Sequence, residues 1–201
     1  MRRRHLVIFL KAPQVGRVKT RLAAQIGRVR AARIARRLSE WAVRRLARDR
    51  RWRTTLAVSP DHFAAAGRWW PAGVPRISQG GGDLGARMRR PLVTLSPGPV
   101  VIVGGDIPDL TPALIEQAFR LLGHHDVVFG PAADGGYWLI GFARRRPLGQ
   151  PFHAVRWSSR HALADTLRNL RSGLRVAWLP QLHDVDRVED LDAVRLPVSA
   201  L

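Results

Sequence analysis

The apolar positions of this chain fall into two alternating kinds of pattern. His5-Leu6-Val7-Ile8-Phe9-Leu10 is a continuous, partly β-branched run closed by Ala12-Pro13-Gln14-Val15-Gly16, which is how a strand buried on both faces reads. From Arg28 to Arg50 the period changes. Ala31, Ile34, Leu38, Trp41, Ala42 and Leu46 recur at three and four with arginines between them, which predicts an amphipathic helix with a solvated basic face. Thr54–Val58 predicts a second strand ending at Ser59-Pro60-Asp61, and 75–78 a short third. After the glycines of 80–85, a helical pattern runs through Met88, Leu92 and Leu95. Val100–Val103 predicts the next strand. Thr111-Pro112 then opens a helix through Leu122, with threonine as N-cap and proline at the first helical position. Strands are expected at 126–131, 137–142 and 174–179, and helices near 160–170 and from Glu189. Strand and helix alternate throughout, so the expected class is α/β with a mostly parallel sheet and an antiparallel insertion around 135–155.

At 201 residues, with 46% hydrophobic and 24% charged positions, the composition fits one folded domain spanning 1–201. No apolar run approaches the roughly 20 residues that cross a bilayer, and no secretory core follows Arg2–Arg4, so a cytoplasmic protein without a membrane span is expected. The absence of cysteine excludes disulfides, thiolate nucleophiles and Cys-type zinc sites.

The formal net charge is +19, from 34 Lys+Arg against 15 Asp+Glu, which suits anionic partners. Arginine supplies nearly all of it, a bias that composition alone explains. Lys11 and Lys19 are the only lysines, and both lie within 10–22. If lysine and arginine were interchangeable, chance would place both there with odds of roughly 1%. That segment therefore prefers a compact ammonium.

In open α/β sheets ligands bind beyond the carboxyl ends of the strands, and four such loops carry chemistry. The segment 11–22 offers Gly16 flexibility and the cations Lys11, Arg17, Lys19 and Arg21 beside Thr20, which suits phosphate oxygens, although the GxxxxGK[ST] pattern is absent. Gln79–Gly85 holds three consecutive glycines that let a planar group approach the backbone. Asp106 and Asp109 leave a buried strand in a Gly-Gly-Asp-x-Pro-Asp turn, where Asp106 is the better candidate for a hard cation such as Mg²⁺ and Asp109 the better helix cap. In Asp184-Val185-Asp186 the alternation puts both carboxylates on one side of an extended segment.

The ordered motifs APxxGxVKTRL, QxGGDLG, VxxxGxDxPDLTP, GPAxDGGYxLIG, WSS and HDVDxxEDL resemble the bacterial DUF2064 type of glycosyltransferase-A-like transferases. These belong to the nucleotide-diphospho-sugar transferase superfamily, alongside molybdenum-cofactor and phospholactate guanylyltransferases. The resemblance spans about 5–195 and implies a three-layer sandwich of the GT-A type. It further implies that Lys11, Ala12, Gly16, Lys19, Thr20 and Arg21 hold nucleotide phosphates and that Gln79, Gly81 and Leu84 contact the base. Asp106 and Asp186 would bind Mg²⁺ or Mn²⁺, with Asp106, Lys19 and Asp134 in the catalytic set. Asp134 is the candidate to orient or deprotonate the acceptor. Arg187-Val188 stands where the superfamily carries Thr-Pro.

The expected function is a Mg²⁺-dependent transferase that takes a nucleoside phosphate or nucleotide sugar. Glycosyl transfer is preferred and nucleotidyl transfer from an NTP is the alternative; the acceptor is open, and a homodimer is one candidate assembly. A non-catalytic RNA-binding protein is the rival of another class. Nucleic acid is nevertheless not the expected partner, because the aromatics stand singly in apolar patterns with no basic-aromatic platform. The pair Trp69-Trp70 is the exception, read as core or as an acceptor lid.

Overall fold

The computed structural model describes residues 3–186 and 188–192. Its strands are β1 (His5–Lys11), β2 (Arg53–Ser59), β3 (Arg76–Ser78), β4 (Val100–Gly104), β5 (Val127–Pro131), β6 (Tyr137–Phe142) and β7 (Val176–Trp178). The helices are α1 (Thr20–Ile26), α2 (Arg28–Leu46), α3 (His62–Ala66), α4 (Leu84–Thr94), α5 (Pro112–Leu121), α6 (Ala162–Arg168) and α7 (Val188–Asp192). They build one seven-stranded sheet in the order β3-β2-β1-β4-β6-β5-β7. Every pairing is parallel except the two made by β6.

Burial on both faces explains why β1 reads as an unbroken apolar run. Leu6, Ile8 and Leu10 point to one side, where Ala42, Val43 and Leu46 of α2 and Ile115, Ala118 and Phe119 of α5 cover them. Val7 points to the other side, with Ile102, Phe129, Ile140 and Met88 of α4, following the two-residue period of a strand. The result is the three-layer mixed α/β architecture expected. No helix among the described residues is long and apolar enough to cross a membrane.

Several boundaries differ from the expectation. Helix α2 stops at Leu46 with Ala47, packed against the core, as its C-cap, and Arg48-Asp49-Arg50 beyond it offers no apolar residue to the core stripe. The antiparallel insertion reduces to β6, and the chain from Ala143 to Ser159 crosses the sheet as irregular loops. Helices α1 and α3 were not anticipated. Each is at most seven residues, too short for periodicity to declare itself or for the helix to stand without tertiary support. Arg187 and 193–201, including the departure from Thr-Pro and the end of the resemblance, lie wholly or partly outside the described residues.

The topology decides where the loops go. Because β1, β2, β3, β4, β5 and β7 all run the same way, the segments following β1, β3, β4, β5 and β7 leave from one edge of the sheet. All four chemically loaded loops of the sequence, together with the β5–β6 hairpin at 132–136, converge there.

Candidate functional site

The segment after β1 folds as a tight turn in which Gln14 N donates to Ala12 O and Arg17 N to Gln14 O, with Gly16 at φ 75°. Lys19 follows as the N-cap of α1 in the left-handed conformation, φ 46° and ψ 51°. For a residue with a Cβ this costs on the order of 1–2 kcal/mol, and Lys19 makes no side-chain cap. What holds it is its other end. Nζ donates to Asp106 Oδ2 at 2.6 Å and to Asp186 Oδ1 at 2.9 Å, and the lysine side chain is only 8% exposed. Burial alone would weaken the ammonium, but the charges of Asp106 and Asp186 and their hydrogen bonds outweigh it and hold its pKa above the usual lysine range. A compact point charge fits between two carboxylates where a planar guanidinium fork would not, which accounts for a lysine here.

Asp106 reaches this place because Gly105 has no side chain. A Cβ there would meet Leu10 Cδ2 at 2.2 Å, so any larger residue would have to displace the buried Leu10 side chain for the chain to pass β1 at this point. From the far end of the chain, Asp184 and Asp186 flank Val185, which is buried among Leu22, Ala31, Ile34 and Leu38 of α1 and α2. Anchoring the valine turns both aspartates to the same side. One carboxylate oxygen from each of Asp106, Asp184 and Asp186 lies within 4.8 Å of the others. That separation is no more than about twice the 2.0–2.6 Å ligand distances of Mg²⁺ and Ca²⁺, and three hard oxygen donors suit such a cation. With Lys19 included, the cluster carries a formal charge of −2, which one divalent cation would neutralise. Burial, and then the neighbouring charges of Asp186 and Asp106, raise the pKa of Asp184 above the usual carboxylate range. Arg21 reaches Asp186 from outside at 3.3 Å.

Asp134 sits in the β5–β6 hairpin, where its Oδ1 accepts from Gly136 N at 2.8 Å. Its neighbour Gly135 has φ 85°, and a Cβ there would run into the Arg160 backbone. Two adjoining cavities meet at this edge. The larger, about 630 Å³, is lined by Lys11, Arg17, Lys19, Thr20 and Arg21 on one wall and by Gln79 and Leu84 on another. The smaller, about 270 Å³, runs between Phe9, Met88, Tyr137 and Trp157. Asp106, Asp134, Asp184 and Ser158 border both.

The nucleotide candidates separate accordingly. Lys11, Lys19, Thr20, Arg21, Gln79 and Leu84 line the larger cavity. Ala12 is buried beneath it, Gly16 shapes the turn, and Gly81 lies outside both linings. Gln79 Nε2 donates to Leu10 O and Ala57 O, so its amide also ties β1 to β2. The glycine loop is braced by Arg90, which donates to the carbonyls of Gln79 and Gly81. Trp70 belongs to the core, with Nε1 donating to Ser39 Oγ, and Trp69 packs edge-on against it; neither lines either of the two cavities described. In the sequence the alternation sets Asp184 on the same side as Asp186 without marking it as a ligand, and Ser158 and Trp157 stand out only as part of the WSS motif.

Residues 42–159, more than half of the chain, match the model of a family described as an uncharacterized protein conserved in bacteria, DUF2064. No curated protein matches the chain. Among solved structures, a protein of Desulfovibrio desulfuricans G20 provisionally named a nucleotide-diphospho-sugar transferase is 32% identical, with a TM-score of 0.87 over 96% of this chain and 86% of that one. The 4-diphosphocytidyl-2C-methyl-D-erythritol synthase of Anaerococcus prevotii DSM 20548 superposes with a TM-score of 0.59 at 11% identity, covering 96% of each chain. The protein Rv0371c of Mycobacterium tuberculosis H37Rv, in complex with manganese, does so at 0.54 and 17% identity, over 96% of this chain and 97% of that one. The last two likenesses concern the fold alone. Joined to the seven-stranded sheet and its loaded edge, the family match makes this chain a member of the DUF2064 family with the fold of the nucleotide-diphospho-sugar transferases.

Proposed function

We propose that the chain is a divalent-cation-dependent transferase that binds a nucleotide sugar at this edge and passes the sugar to an acceptor hydroxyl. The observation that carries the reading is the meeting of a three-carboxylate cluster with a cation-lined cavity at Lys19, a residue common to both. Asp106, Asp184 and Asp186 would hold Mg²⁺ or Mn²⁺; the Mycobacterium tuberculosis protein of the same fold was itself crystallised with manganese. Bound there, the ion would supply Lewis-acid neutralisation of charge on the departing phosphate.

The chain's own groups do the rest. Lys11, Arg17, Lys19, Thr20 and Arg21 would clasp the diphosphate, while Gln79 and Leu84 bound the wall left for the base. In the transfer, the acceptor oxygen forms a bond to the sugar's anomeric carbon as the bond from that carbon to the phosphate oxygen breaks. The electron pair leaves with the nucleoside diphosphate. The acceptor proton would go to Asp134, a reading supported by its bordering both cavities. No protein nucleophile is required, because positioning and charge stabilisation carry the step.

Nucleotidyl transfer, with an acceptor phosphate attacking an NTP and pyrophosphate leaving, is the second reading, and the four cations beside the larger cavity favour it to the extent that they suit a triphosphate. Calorimetry with nucleotide sugars and NTPs, each with and without Mg²⁺ or Mn²⁺, tests both. The proposal expects metal-dependent binding of a nucleotide sugar. Binding of NTPs alone would favour the second reading, and binding of neither would remove the first.

A further inference from the structure

The distribution of charge between the two cavities is uneven in a way that bears on the acceptor. The chain carries 34 lysines and arginines, and four of them line the larger cavity. Among the described residues lining the smaller one there is no lysine, arginine or histidine. Its charged groups are Asp106, Asp134 and Asp184, all anionic, and its remaining walls are aliphatic and aromatic with Ser158 and Ser159 at the rim. On the loop that forms that rim, Arg156 is turned away, donating Nε and Nη2 to Asp165, each at 2.8 Å, and Arg160, which follows Ser159, is exposed and lines neither cavity.

That loop is built to present its aromatic residue. Ala154 and Ser158 both occupy left-handed backbone, φ 48° and 56°, a conformation that costs energy in residues with a Cβ and persists only where the surroundings enforce it. Between them Trp157 donates its indole N–H to Asp83 Oδ2 at 3.3 Å and packs beside Phe152, with ring centroids 6.2 Å apart. Gly85 of α4 fits beneath, where a Cβ would meet Phe152 at 2.8 Å and Trp157 at 3.0 Å. Across the cavity, Tyr137 stands edge-on to Phe129, and its hydroxyl lies 3.4 Å from Thr166 Oγ1. Both aromatic walls are fixed by neighbours outside the cavity. An apolar cavity of about 150 Å³ accepts one benzene ring, so about 270 Å³ admits one ring with a substituent.

We infer that the smaller cavity is the seat of an uncharged, ring-sized acceptor with an apolar flank, which lies against Trp157 and directs a hydroxyl toward Asp134. A phosphate or carboxylate acceptor would find only carboxylates among the charged groups lining this space and no cation of the walls to receive it, since the ammonium of Lys19 is held by Asp106 and Asp186 from the larger cavity. The inference rests on the transferase reading and sharpens it, since it separates transfer to a neutral hydroxyl from transfer to an acceptor phosphate.

The test uses a matched pair of probes, benzyl alcohol and benzyl phosphate, titrated into the full chain by ligand-observed NMR in metal-free buffer and again with Mg²⁺. The alcohol is expected to bind at least tenfold more tightly in metal-free buffer, and Mg²⁺, which would neutralise the carboxylate cluster, is expected to narrow that margin without reversing it. Trp157→Ala should weaken the alcohol at least fivefold, and Trp157→Phe, which keeps an aromatic wall, should retain most of it. Ser159→Arg, which adds a cation at the rim, should narrow or reverse the preference even if Trp157→Ala proves poorly folded. Equal or tighter binding of the phosphate to the parent protein in either condition, or binding of neither probe, overturns the inference. Nucleotide binding measured on the same samples keeps the two proposals apart. Retained nucleotide binding with the wrong probe preference sinks only this one, whereas loss of nucleotide binding with the right preference sinks only the transferase reading.

Discussion

Replacing Lys19 by methionine keeps the length and burial of the side chain and removes its charge. In the parent the ammonium bridges Asp106 and Asp186 at 2.6 and 2.9 Å. Breaking a fully buried pair costs about 3–5 kcal/mol. Here the lysine side chain is 8% exposed, but Asp106 and Asp186 are 42% and 35% exposed, so water takes over part of their solvation. The expected loss is about 2 kcal/mol in metal-free buffer, or a fall in Tm of about 4–8 °C for a domain of this size. Without the ammonium, three carboxylates remain within 4.8 Å, and an added divalent cation no longer competes with a resident charge. Urea denaturation with and without 5 mM MgCl₂ should therefore show the variant gaining more from Mg²⁺ than the parent does. Lys19→Arg should recover little, because a planar fork does not fit the slot. Lys19→Gly should be about 1 kcal/mol more stable than Lys19→Ala by relieving the left-handed backbone. A metal-free Lys19→Met within 0.5 kcal/mol of the parent, or no additional stabilisation by Mg²⁺, would refute the argument.

At the opposite edge of the sheet, Arg144 donates to the carbonyls of Leu92, Leu95, Ser96 and Gly98, so Arg144→Lys should cost about 2 kcal/mol by denaturant unfolding, since one ammonium cannot reach all four. His5 is buried there beside Ser96, and burial, then Arg144 and Arg3, holds its pKa below the ordinary 6.5. The unfolded chain therefore takes up this proton first, and stability conferred above about pH 6.5 is lost as the pH falls below it. His5→Phe should flatten that part of the stability–pH curve, and an unchanged slope would count against the assignment.

The strands were readable where burial on both faces leaves no ambiguity: β1 and β4 lie at the centre of the sheet, and their apolar runs admit one interpretation. The convergence of the loops followed from strand direction. Lys19 was readable because both lysines of an arginine-rich chain fall in its loop, a placement that composition does not produce. The alternation in Asp184-Val185-Asp186 was also visible, but what makes it a site is the burial of Val185 against α1 and α2, and α1 itself was invisible. The smaller cavity could not be read at all. Its walls come from Phe9, Met88, Tyr137 and Trp157, four distant segments, and Trp157 is aimed by left-handed backbone at Ala154 and Ser158, which neither residue type announces. The Trp69-Trp70 pair shows the reverse difficulty, a conspicuous motif that packs into the core.

In the proposed function one cluster couples a divalent cation to a nucleotide's phosphates. Titration calorimetry of a nucleoside diphosphate into the parent and into Asp106→Asn, at fixed Mg²⁺ and without it, tests this directly, because the amide keeps the shape of the side chain and removes the charge that holds the ion. Mg²⁺ is expected to tighten nucleotide binding by the parent at least tenfold and to leave Asp106→Asn, still folded, nearly unaffected; an equal Mg²⁺ response in both proteins, or none in the parent, would remove the coupling.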